Sequence, residues 1–163
     1  MNKTICLNKS VLDFIEKQIS RDSYVVEFGA GWSSRWFADR CGKLVSIETS
    51  ARWAAVARGD LSGAACEWDV RRSLTPLLVS KDLTGADLVL VDCEVQWRFD
   101  CATRGWEALR PGGWMILDDA QRQYSETIVA NMSAHASPIE LKWQEGDIET
   151  AKERLALAWQ KPQ

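Results

Sequence analysis

A chain of 163 residues, 46% hydrophobic and 26% charged, has the length of one domain with a real core and the balance of a globular protein in water. Its net charge of −3 disfavours a sequence-independent nucleic-acid binder, which is usually basic, and suits a small or neutral partner. No stretch is long and apolar enough to span a bilayer, and Met1–Leu7 lacks the apolar run of a signal peptide. The five cysteines (Cys6, Cys41, Cys66, Cys93, Cys101) are odd in number and form no C-x-x-C pair, so reduced thiols in a cytoplasmic protein are expected.

In chain order, short apolar runs alternate with amphipathic stretches, which predicts an α/β fold built on a mainly parallel sheet. A helix is expected over Lys9–Ile19, with Val11, Leu12, Ile15 and Ile19 on one face. Strand one is Tyr24–Phe28, followed by a helix from Ser34 to about Cys41. Leu44–Glu48 is strand two and Ser50 to about Leu61 its helix. Ala65–Trp68 reads as a third strand, Leu74–Asp82 as helix, and Ala86–Val91 as strand four, ending on Asp92. A helix over about Arg98–Leu109 is stopped by Arg110-Pro111-Gly112-Gly113. Trp114–Leu117 makes strand five, ending at Asp118-Asp119, and a helix follows from Gln121 to Ser133. The tail holds Pro138–Trp143, a charged turn at Gly146-Asp147, and Arg154–Trp159 as final strand. With no apolar helix between them, the last two strands are expected to be antiparallel. Most of the nine tryptophans are expected in the core. No repeat or linker divides the chain, so one domain over 1–163 is expected.

The chemistry concentrates where strands end. Glu27-Phe28-Gly29-Ala30-Gly31-Trp32-Ser33-Ser34 is a strand, a glycine turn and a helix start, the arrangement in which backbone approaches a nucleotide-like ligand. A carboxylate at Glu27 would repel a pyrophosphate and attract a cation, directly or through water, and S-adenosylmethionine carries a sulfonium and an ammonium where NAD carries phosphates. Glu48, at the end of strand two, has two readings. It accepts from the ribose hydroxyls of an adenosine cofactor, or it stabilises the dipole of the Ser50 helix. Trp68-Asp69 would cover an adenine ring and accept from its amino group, or be a core tryptophan beside a solvated acid. Ser33 and Ser34 are suited both to capping and to cofactor contact, and Trp32 stands where it could line the pocket. Asp92, Asp118 and Asp119 end strands that are expected to be neighbours, and an all-oxygen cluster of this kind suits magnesium or calcium. The other reading of Asp119 is a cap for the Gln121 helix. The only histidine, His135, lies at a helix end and reads as a surface residue.

Glu27-x-Gly29-x-Gly31, Glu48, Asp92 and Leu109-Arg110-Pro111-Gly112-Gly113 together resemble class I S-adenosylmethionine-dependent methyltransferases, from about Val25 to the C-terminus. The resemblance implies a single Rossmann-like domain: a seven-stranded, mainly parallel sheet with an antiparallel C-terminal strand and helices on both faces. It implies Glu27, Gly29, Ala30, Gly31, Trp32, Ser33, Glu48, Trp68, Asp69 and Asp92 as cofactor-binding residues. Asp92-Cys93-Glu94-Val95-Gln96-Trp97, with Asp118-Asp119, is similar to the metal-dependent O-methyltransferases, including catechol-type and sugar-modifying members. That likeness implies Asp92, Asp118 and Asp119 as ligands of Mg2+, and Asp92 and Glu94 as catalytic residues, Glu94 falling at a general-base position. Three departures stand against it: Cys93, Val95 and Trp97 replace the family's glycine, histidine and tyrosine.

The expected activity is methyl transfer to a small-molecule hydroxyl, with a homo-oligomer closing the site in place of a lid, and with neither nucleic acid nor membrane as partner. Two rivals stand beside it: a cofactor-fold protein that binds without catalysis, and a NAD-dependent oxidoreductase, which Glu27 disfavours.

Overall fold

The computed structural model describes residues 5–144 and 154–163. β1 (Tyr24–Phe28), β2 (Lys43–Glu48), β3 (Glu67–Arg72), β4 (Ala86–Val91), β5 (Leu109–Leu117), β6 (Ile139–Lys142) and β7 (Leu155–Gln160) form one sheet in the order β3-β2-β1-β4-β5-β7-β6. β1 to β5 run parallel, while β7 is antiparallel to both β5 and β6. The strand order reverses between β1 and β4, and in such a sheet ligands bind beyond the carboxyl ends of the strands at that point.

Alternation along the strands splits the core into two layers. Val25, Leu44, Leu88, Leu90 and Ile116 face α1 (Lys9–Gln18), α2 (Trp32–Ala38) and α3 (Ala51–Leu61). Val26, Phe28, Val45, Ile47, Val89 and Met115 face α4 (Arg98–Ala108) and α5 (Glu126–Ser133). Helices therefore cover both faces. Lys161 closes α4 by donating through Nζ to the carbonyls of Trp106 and Leu109 at 2.9 and 2.8 Å, a cation at a helix C-terminus.

Several boundaries differ from the sequence reading. β3 starts two residues later than expected and runs on to Arg72, because its pairing with β2 continues to Glu48↔Arg72. Leu74–Asp82 is not a helix: only Pro76–Val79 winds into a 3₁₀ turn, and Leu74 and Leu78 stay exposed instead of forming a packed face. Arg110-Pro111-Gly112-Gly113 does not precede β5 but lies within it. Ala86 pairs with Leu109 and Leu88 with Trp114, so the intervening residues bulge. The helix expected from Gln121 starts at Glu126, after a 3₁₀ turn over Gln123–Ser125. The turn at Gly146-Asp147 lies outside the described residues. Trp159 is the one tryptophan fully buried among the described residues; most of the others sit half-buried at the margins of the core.

Candidate functional site

The carboxyl ends of β1, β2 and β4 open into a cleft of about 310 Å³. Its walls include the Gly29-Ala30-Gly31-Trp32-Ser33 loop, Glu48 and Ser50 after β2, Trp53 on α3, Asp92-Cys93-Glu94 after β4, and Cys6-Leu7 from the N-terminal segment. Eight of the sequence-predicted site residues thus share one cavity: Gly29, Ala30, Gly31, Trp32, Ser33, Glu48, Asp92 and Glu94.

The two glycines of the turn are there for different reasons. Gly29 has φ +103°, and a Cβ on it would lie 2.3 Å from the backbone oxygen of Asp92, so the protein itself demands glycine where β1 passes β4. Gly31 has φ −170°, extended backbone open to any residue, and an added Cβ would meet no protein atom within 4 Å. No protein neighbour requires glycine at 31. What the missing side chain leaves open is the cleft.

Glu48 is almost buried. Its Oε1 accepts from the Ser50 N–H at 2.6 Å and the Thr49 hydroxyl at 3.3 Å, while Ser50 Oγ caps α3 by accepting from the Trp53 N–H. Oε2 takes no hydrogen bond from the described residues. The helix-start reading of Glu48 thus holds through Oε1, and Oε2 is the oxygen that the ribose reading would use. Trp32 meets Trp53 edge-on at 6.0 Å, and the pair gives the cleft an aromatic wall.

Glu27 does not face the cleft. Odd-numbered positions of β1 point toward α2, so Glu27 is fully buried beneath the glycine turn. It accepts hydrogen bonds from the hydroxyls of Ser33, Ser34 (2.6 Å) and Ser46 (2.8 Å). Burial pushes its pKa up to about 7, with Glu48 adding to the rise and the three serines opposing it. The direct cation contact inferred from sequence is corrected: Glu27 shapes the loop, and touches the cleft only through Ser33.

Trp68 and Asp69 are also displaced from their predicted place. With β3 extended to Arg72 they lie inside the strand, opposite Leu44 and Val45. Trp68 packs on the α1–α3 side of the core, and Asp69 pairs with Arg71 at 2.8 Å. Neither reaches the cleft.

The three aspartates beyond β4 and β5 do converge, but onto arginines. Arg98 is buried and staples the two strand ends, donating from Nε to the Cys93 carbonyl (2.8 Å), from Nη1 to the Asp118 carbonyl (2.5 Å) and from Nη2 to Asp92 Oδ1 (3.0 Å). Arg154 donates to Asp118 Oδ2 and, from Nε, to Asp119 Oδ1 at 2.9 Å. Asp118 Oδ1 is buried without a partner. A divalent ion needs several oxygens directed at one point, and no group of three such side chains able to hold a metal exists among the described residues. The metal reading of Asp92, Asp118 and Asp119 does not fit: one oxygen of each carboxylate is committed to a guanidinium group. The capping alternative for Asp119 fails as well. No helix starts at Gln121, and Asp119 sits at φ +52°, a left-handed conformation that aspartate tolerates.

The same surroundings set the charges. Burial and the Asp118 charge push Asp92 up to about 7, against Arg98 and Arg154. Burial raises Asp118 too, despite Arg154. Burial would also raise Asp119, but Arg154 and its hydrogen bonds outweigh it and hold Asp119 below the usual range. Glu94 is exposed and accepts from Gln96 at 2.8 Å. His135 is exposed at the end of α5, stacked on Trp106.

Sequence reasoning missed Arg98 and Arg154. A signal for each was present: Arg98 follows the acids of strand four within a turn, and Arg154 opens the last strand in phase with Ala156 and Ala158, which face the α1–α3 layer.

No family model matches this sequence, nor does any curated protein. Solved structures do resemble the fold. A putative O-methyltransferase from Klebsiella pneumoniae superposes with a TM-score of 0.71 at 20% identity, over 93% of this chain and 77% of its own. The O-methyltransferase TomG from Streptomyces achromogenes, involved in tomaymycin synthesis and solved in complex with S-adenosylmethionine, gives 0.69 at 21%, over 93% and 78%. An rRNA methylase from Streptococcus thermophilus gives 0.73 at 11%, over 98% and 100%. At such identities the likeness establishes the fold alone: the Rossmann-like architecture these structures share, with a seven-stranded sheet that ends in an antiparallel strand.

Proposed function

We propose that this chain transfers a methyl group from S-adenosylmethionine to a hydroxyl oxygen of a small molecule. The observation that carries the reading is the pairing, in one cleft, of a buried Glu48 with one oxygen left over and a Gly31 that no protein contact requires. When bound, S-adenosylmethionine supplies an electrophilic methyl group on a sulfonium.

The chain's own residues then have separable tasks. Glu48 accepts from the ribose hydroxyls, and the Gly29–Gly31 turn lets backbone approach the ligand. Trp32 and Trp53 cover apolar surface. Asp92 lies at the strand-order reversal and would take the proton of the acceptor hydroxyl, while the methyl group would leave the sulfonium sulfur as a neutral thioether. A carboxyl held near pH 7 by its surroundings is matched to that task, and exposed Glu94 on the cleft wall serves as an acceptor-side contact. The rest of the rate comes from holding the two reactants in a near-attack arrangement.

A small acceptor suits the acidic cleft and net charge of −3 better than a nucleic acid does. Five cysteines outside any disulfide suit the cytoplasm. No helix among the described residues is long and apolar enough to cross a membrane. An open cleft with no inserted lid among the described residues is the reason to expect a second copy beside it.

Calorimetric titration with S-adenosylmethionine, its demethylated product and NAD tests the reading. Stoichiometric binding of the first two, with quenching of tryptophan emission from Trp32 and Trp53, is expected. Binding of NAD alone would overturn it, and tight cofactor binding without turnover over a panel of hydroxylated acceptors would favour the non-catalytic alternative.

A further inference from the structure

We propose that Arg154 holds the place a divalent cation would take at the ends of β4 and β5, so that methyl transfer here is metal-independent. The inference rests on the methyltransferase reading for its consequence, but the arrangement itself is independent of any cofactor.

The guanidinium of Arg154 bridges the two consecutive acids at the end of β5, through Nη2 to Asp118 and Nε to Asp119. Its third nitrogen, Nη1, donates to the Cys6 carbonyl, and its own carbonyl accepts from Asn8 Nδ2 at 3.2 Å. Cys6 and Leu7 are cleft wall. One side chain thus links the carboxylates to the N-terminal segment that bounds the cleft. These are the two things a bridging cation would do there: neutralise crowded acids and tie chain segments together.

Arginine suits this role because its charge is permanent and its planar fork engages two oxygens at fixed angles. Arg98 completes the arrangement by neutralising Asp92 and bonding the Asp118 backbone. One oxygen of each carboxylate is held by a guanidinium group, so a magnesium or calcium ion would have to displace an arginine to gather its several oxygens at one point. A second cation entering between the two guanidinium groups would also meet like charge within hydrogen-bonding distance of its ligands.

The test uses Mn2+ as the probe and the free-ion paramagnetic resonance signal as the readout. Wild-type protein should leave the signal unchanged through equimolar to severalfold excess. R154A, confirmed as folded by circular dichroism, should gain a Mn2+ site at least ~10-fold tighter than any weak binding of wild type, the scale on which a changed outer partner alters metal affinity. R154K retains the charge and should still exclude the ion. Stoichiometric Mn2+ binding by wild type that D118N abolishes would overturn the proposal, and so would a folded R154A that gains no site. Should R154A not fold, the wild-type and R154K titrations decide. Titration of wild type with S-adenosylhomocysteine runs in parallel: if it does not bind, the methyltransferase reading fails while the Mn2+ result still judges the role of Arg154.

Discussion

At the β1–β2 end of the cleft, Glu27 is buried among three serine hydroxyls; at the β4–β5 end, Asp118 is buried against Arg154, with Arg98 on its carbonyl. Neutral hydroxyls satisfy the lone pairs of a carboxylate without cancelling its charge, so burial wins and Glu27 rises to about 7. Arg154 supplies a full countercharge, yet its two partners respond in opposite directions. Asp118, with no exposed surface, is raised, while Asp119, at 17% side-chain exposure, is lowered. Arg154 favours ionisation of both acids, but at fully buried Asp118 the cost of burial outweighs it and at Asp119 it does not. The ends also differ in what the protein itself engages: at the first, Glu48 Oε2 takes no hydrogen bond from the described residues and a Cβ on Gly31 would meet no protein atom, while at the second one oxygen of each aspartate is held by an arginine.

The largest effect is expected from Glu48→Ala. If the β1–β2 end carries the cofactor, this variant loses two charge-assisted hydrogen bonds, each worth about 1.5–3 kcal/mol. Calorimetry should then show affinity for S-adenosylmethionine reduced by about a hundredfold or more, while Asp119→Asn at the other end leaves it near wild type. Equal affinity for Glu48→Ala and wild type would break the comparison, because no ligand would then depend on the residual oxygen.

A smaller change is expected from Glu27→Gln. The Glu27 carboxyl titrates at about 7 when folded, against an ordinary value of 4.5. Between those values the folded state binds the extra proton, so stability present below about pH 4.5 is lost as pH rises through 7. Glutamine removes that loss, and urea unfolding should find the variant gaining up to about 3 kcal/mol on wild type between pH 5 and pH 8. Asp92, also raised to about 7, keeps a residual slope of the same sign in both proteins. Parallel pH profiles for variant and wild type would show that Glu27 is already ionised within its ring of serines.

The smallest stability effect belongs to Gly31→Ala. An added Cβ meets no protein atom and the backbone is extended, so unfolding free energy should stay within about 0.5 kcal/mol of wild type. Cofactor binding should nevertheless fall markedly, separating Gly31 from Gly29, whose glycine is required by Asp92. A variant that binds as well as wild type would remove the ligand-based reason for glycine at 31.

Much of this molecule is legible in its residues before any coordinates. The order of strands and helices follows from local periodicity, and Gly29–Gly31, Glu48, Asp92 and Glu94 come together because each ends or follows a parallel strand. Parallel connections bring such ends to one edge whatever the details. Where one residue of register matters, the sequence is silent. The pairing of β3 with β2 carries the strand to Arg72 and removes Trp68 and Asp69 from the site, and alternation in β1 turns Glu27 under the loop. The partners of the aspartates depend on the antiparallel return of β7, which brings Arg154 beside residues 36 and 35 positions earlier in the chain. No local pattern encodes a contact of that separation. Composition and spacing decided that acids would crowd the ends of β4 and β5; only the tertiary structure decided that a guanidinium would meet them, because side-chain partners are chosen by the packing of distant strands.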